Sequence, residues 1–92
     1  MAVLTVKVST TPQRILVANP KRVVYVLINT GANEAFIGHD KDVSTSGTKK
    51  GIPLGANGGV WADEYYKGEV WAIASGDTEI CVVEVSEEEK KT

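Results

Sequence analysis

A single cysteine, a single histidine and a single methionine are all that this 92-residue chain offers by way of sulfur or imidazole ligands. One thiol closes no intramolecular disulfide and builds no CxxC motif, so the fold must stand on its core. One Cys and one His cannot supply a three-ligand zinc site without carboxylate help, and no metal or cofactor is expected. The basic excess that usually marks a nucleic-acid binder is missing: twelve Asp and Glu outnumber ten Lys and Arg, for a net charge of −2. Binding to a phosphate backbone is therefore disfavoured. No stretch approaches the roughly 20 apolar residues of a membrane span. Met1 to Val8 also lacks the charged start and apolar run of a signal peptide. The expectation is a protein made and kept in a cytoplasm, or carried in a particle assembled there, with no membrane partner.

What is abundant points to sheets. Thirteen Val, six Ile and eight Thr stand against four Leu, and β-branched side chains suit a pleated surface better than a helix. Leu4, Val6 and Val8 alternate with Thr5 and Lys7, which predicts a strand with one apolar face before Pro12 breaks it. Gln13 to Ala18 follows as a second strand, and Asn19-Pro20-Lys21-Arg22 as a tight turn. Val23 to Ile28 is apolar without interruption, which predicts a strand covered on both sides, by the sandwich or by a second subunit. Glu34 to Gly38 reads as the next strand.

His39 to Gly51 is polar, with Val43 as its one apolar anchor. It reads as an exposed and mobile loop, open to proteolysis after Lys41, Lys49 or Lys50. Ile52-Pro53-Leu54 then re-enters the core. Three further strands are expected at Val60 to Asp63, Glu69 to Ser75 and Glu79 to Val85, with Ser75-Gly76-Asp77-Thr78 as a hairpin turn. The pattern predicts one all-β domain over residues 1–85, a compact β-sandwich or jelly-roll-like barrel of seven or eight short antiparallel strands. Residues 86–92, SEEEKKT, read as a charged flexible tail.

The motifs that could carry chemistry do not complete themselves. His39 beside Asp40 is a base without a nucleophile or an oxyanion site. Asp40 opens a calcium-like loop, yet Thr45 stands at its sixth place and Gly51 at its twelfth, where glycine and glutamate are needed. Gly47-Thr48-Lys49-Lys50-Gly51 lacks Walker spacing, and Gly55 to Gly59 reads as a tight turn rather than a dinucleotide loop. Cys81, between Ile80 and Val82, reads as a small buried hydrophobe. No catalytic residue is expected.

Aromatic residues form the one notable cluster: Trp61, Tyr65, Tyr66 and Trp71 fall within eleven positions. Two readings stay open for them. They are core or interface residues, or they are a platform that stacks on sugar rings while Asp63 and Glu64 take hydroxyls.

Five segments carry a resemblance: Ile15 to Arg22 with its Asn19-Pro20 turn, Val26 to Gly31 ending Asn29-Thr30-Gly31, Ala35 to Gly38, Gly51 to Leu54, and Gly68 to Ser75 with Val70-Trp71-Ala72. Together, over about residues 13 to 85, the chain resembles small β-sandwich proteins encoded among the virion structural genes of tailed phages and proviruses. The resemblance implies capsid decoration, head-fibre or tail-attachment roles without catalytic residues; an extended fibre or receptor-binding region is not seen here. A small domain is short of core for this many apolar faces, so a homo-oligomer is expected, a trimer ahead of a dimer, with Tyr25 or Trp71 at the centre of the interface.

Overall fold

The computed structural model describes residues 1–87. Eight strands carry the fold: β1 (Ala2–Val8), β2 (Gln13–Leu16), β3 (Arg22–Asn29), β4 (Ala35–Gly38), β5 (Ile52–Leu54), β6 (Gly59–Asp63), β7 (Val70–Ala74) and β8 (Thr78–Ser86). They form two four-stranded antiparallel sheets, β1-β8-β3-β6 and β2-β7-β4-β5. Strand 1 pairs with 8, 2 with 7, 3 with 6 and 4 with 5. That is the pairing of one long eight-segment hairpin rolled up on itself, joined along the roll by β3 with β8 and β4 with β7. The result is the strand order of a jelly roll.

The core lies between the sheets. From the first sheet come Val8, Tyr25, Leu27, Ile80 and Val82; from the second come Leu16, Ala35, Ile37, Leu54, Val70 and Ala72. The period of two along each strand places these residues on one face. Two bulges adjust that face. Register shifts between Arg22 and Val24, and between Arg14 and Leu16. An extra residue re-aims the side chains beside it, so Arg22 and Tyr25, three apart, both turn inward, and Ile15 and Leu16 are both buried.

A second, smaller cluster forms outside the second sheet. Phe36, Val43 and Ile73 are buried there with Trp71 packed against them. The loop from His39 to Gly51 thus folds back over the sheet, held by Val43 and shaped by a 3-10 turn at Gly47–Lys49 and a bridge from Ser44 to Lys50. Gly38 and Gly51 make room for that anchor, because a Cβ on either would lie under 3.0 Å from the Val43 side chain.

Several expectations are corrected. Ser75 to Thr78 is not a hairpin turn: it carries the chain from β7 in one sheet to β8 in the other. Turn residues fix a reversal, not a partner, and both flanks of β7 and of β8 are already filled. Of the two covers expected for Val23 to Ile28, the chain itself supplies one: Tyr25 and Leu27 are buried, whereas Val24, Val26 and Ile28 are half-buried. Leu4 is 60% exposed although it faces inward, because β1 is an edge strand and β2, with 4 residues, is too short to cover it. Of the expected tail, Ser86 belongs to β8 and the Glu87 amide donates to the Lys21 carbonyl at 2.8 Å; residues 88–92 lie outside the described residues.

Candidate functional site

The turns β2–β3 and β6–β7 meet at one end of the sandwich, where polar residues are concentrated. Arg22, 1% exposed, donates Nε–H to Glu84 Oε2 at 2.7 Å, Nη1–H to the Tyr66 and Gly68 carbonyls, and Nη2–H to the Val17 carbonyl. Its guanidinium also lies 5.4 Å from the centre of the Tyr25 ring. Asn19 adds Nδ2–H bonds to Ser86 Oγ and Glu84 Oε2, and its Oδ1 accepts the Lys21 amide. A buried arginine needs this many acceptors. The Asn19-Pro20-Lys21-Arg22 turn is therefore a clamp, not a reactive group.

At the opposite end, the fully buried Asn29 does the same work. Its Nδ2 donates to the Asn33 and Leu54 carbonyls, while its Oδ1 accepts from the Thr78 hydroxyl at 2.7 Å and from the Gly31 amide. A groove of about 590 Å³ opens beside it between Lys7, Ser9, Gln13, Ala32 and Glu79. The Asn29-Thr30-Gly31 signature is thereby explained by architecture as well.

The aromatic residues do not assemble into one surface. Tyr25 is 0% exposed, which corrects its expected place at the centre of an interface. Trp61, beside it across the β3–β6 ladder, packs against the core and donates Nε1–H to the Tyr25 hydroxyl at 3.2 Å. Burial pushes the Tyr25 phenol above its ordinary value; the Trp61 bond opposes the shift and Asp63 adds to it. Tyr66 stacks on His39, ring centres 3.6 Å apart and planes within 9°. Trp71 belongs to the other sheet, on its outer side, and donates to Glu69 Oε1. That bond, with help from Arg14, holds the Glu69 carboxyl below its ordinary range. Tyr65 alone projects freely, 87% exposed.

Among the described residues, no three or more of His, Cys, Asp and Glu stand together so as to hold a metal ion. No described helix is long and apolar enough to cross a membrane. His39 follows β4, with its ring stacked on Tyr66. Cys81 is half-buried rather than core, since Ile80 and Val82 take the inward positions of β8 and Cys81 must point outward.

The feature with a surface to offer is the outer face of the first sheet. One row across it is Thr5, Cys81, Ile28 and Val60; the next is Val3, Val83, Val26 and Ala62; Val85 and Val24 follow. Val3 and Val60 are each 60% exposed, and Val24, Val26, Ile28, Cys81, Val83 and Val85 are half-buried. The charged pair Lys7 and Glu79 sits opposite one another at one rim. Apolar runs at Val23 to Ile28 and Ile80 to Val83 announce this face in the sequence. Val3, Val60 and Ala62 complete it, and only the strand order brings them there.

Compared with known proteins, the chain matches no family model, no curated protein and no solved structure.

Proposed function

We propose that the protein is a non-catalytic structural and interaction module that self-associates as a component of a virus-like particle. The observation that carries this reading is the outer face of the first sheet, whose two full rows hold Thr5 as their one polar residue. An exposed apolar patch of this kind marks a site of association. Two further points support it. The jelly-roll order is one that capsid domains use, although a fold does not by itself carry a function. The five segments that resemble phage virion proteins include the two clamps, Asn19 to Arg22 and Asn29 to Gly31. The chain then works in the cytoplasm where the particle forms, or in the particle. Density-gradient sedimentation of lysate from cells that make the protein tests this: it co-sediments with assembled particles, whereas confinement to the slowest fractions overturns the particle assignment.

A second reading, carbohydrate binding, is favoured by one observation. A groove of about 380 Å³ beside β6 is lined by Trp61, Asp63, Glu64 and Tyr65. It pairs rings with carboxylates as sugar sites do, though Asp63 Oδ1 already accepts the Tyr65 and Tyr66 amides. Calorimetric titration with a panel of oligosaccharides, repeated on Tyr65→Ala, decides it. Tyr65 is the right target because Trp61 also supports the core.

A further inference from the structure

We propose that the outer face of the first sheet is the contact between two copies of this chain, packed face to face across a two-fold axis. The inference rests on the self-association reading and names its surface and its partner. The partner follows from charge. Lys7 and Glu79 stand directly opposite each other on adjacent strands, and opposite charges so placed satisfy each other. That rim is therefore balanced, and the two full rows beside it hold no charged residue with which to attract a nucleic acid or a charged peptide. What it offers is a corrugated surface of valine and isoleucine, and a second such surface is its nearest complement. Sheets pack in this way inside every β-sandwich, about 10 Å apart.

Area supports the same partner. Four strands about 4.8 Å apart and some five residues long, at about 3.4 Å each, make a face on the order of 300 Å² in projection. With side-chain relief the accessible area is on the order of 500 Å² per copy, so a pair reaches the roughly 1,000 Å² at which specific interfaces begin. A two-fold contact uses the same patch on both copies and closes on itself. Of the large apolar residues open to solvent outside the two rows, Met1, Leu4, Val17 and Tyr65, Leu4 lies on the inner side of the edge strand, and a face-to-face pair leaves it where it is.

Cys81 is a built-in reporter, since it occupies the apolar face between Thr5 and Ile28. The test follows iodoacetamide labelling of Cys81 in the full chain from dilute to concentrated solution, beside the mass from light scattering. Two variants at exposed positions accompany it: Val60→Lys on the face and Leu4→Lys on the edge strand. The pair predicts a dimer whose Cys81 labels at least about tenfold more slowly at high concentration, as mass action requires. Val60→Lys stays folded by circular dichroism, becomes monomeric and labels fast at every concentration, while Leu4→Lys behaves as wild type. An assembly in which Cys81 labels freely and which only Leu4→Lys dissolves overturns the face as the contact and leaves self-association standing. Protection that changes neither with concentration nor with Val60→Lys also overturns it. A monomer at every concentration removes both the contact and the reading beneath it.

Discussion

Arg22 and Glu84, 62 residues apart in the chain, are joined by an Nε–H bond to Oε2 at 2.7 Å that ties the β2–β3 turn to the end of β8. With the arginine side chain 1% and the glutamate 19% exposed, this is a pair that cannot lose one member cheaply. Removing Arg22 leaves the Glu84 carboxylate and the carbonyls of Val17, Tyr66 and Gly68 short of a donor.

Arg22→Met is expected to destabilise the fold by about 3–5 kcal/mol, the usual effect of breaking a buried pair. Glu84→Gln, which still accepts the bond, is expected to cost about 1–2 kcal/mol. Urea unfolding of the two variants checks the order; equal midpoints would contradict it.

Gly31 is tested by adding one methyl group. Its Cβ would lie 2.1 Å from the Thr78 hydroxyl oxygen and 2.6 Å from the Glu79 amide nitrogen. Gly31→Ala is thus expected to cost about 2–3 kcal/mol by overpacking. Gly55→Ala meets nothing within 4 Å and is expected to stay within about 0.5 kcal/mol of wild type. The difference in thermal midpoint between the two is the measurement.

The covering loop hangs on Val43. In Val43→Ala the contact with Phe36, Ile73 and Trp71 shrinks, at a stability cost of about 1–2 kcal/mol. Trypsin is expected to cut after Lys41, Lys49 or Lys50, and faster in this variant than in wild type. Mass spectrometry of the first fragments reads the sites. First cuts after Lys7 or Lys21 in both proteins would place the weak point elsewhere.

Tyr25 gives the fold an alkaline limit. Its phenol sits above the ordinary 10.0 because burial penalises the ionised form. In the unfolded chain the phenol ionises first, so stability is full below pH about 10 and falls as pH rises from there toward the folded value. Urea midpoints measured from about pH 9 to 11.5 should fall in wild type. The Tyr25→Phe variant, weaker at neutral pH for want of the Trp61 bond, should show a shallower slope. Parallel slopes would show that another group sets the limit.

Alternation made much of this architecture readable in advance. Val, Ile and Thr at period two announced the strands, and Gly, Pro and Asn marked where they end. What alternation cannot carry is partner choice. Ser75 to Thr78 has the residues of a hairpin turn, yet the ladders that β7 and β8 join are set by β2, β4, β1 and β3, all distant in sequence. Bulges hide for the same reason: nothing local at Val23 says that the strand gains a residue there and turns Arg22 inward. The aromatic cluster was legible as a cluster but is divided by the fold, since Trp61 and Trp71, ten positions apart, belong to different sheets. The outer face was half visible, through Val23 to Ile28 and the strand around Cys81, and needed the jelly-roll order to add Val3 and Val60.

Light scattering coupled to gel filtration, over a wide range of protein concentration, tests self-association most directly. Association in pairs predicts a mass that rises from the 9.9 kDa of one chain to about twice that value as concentration increases, as mass action requires of a pair. A mass that stays at 9.9 kDa up to the highest concentration reached would contradict it.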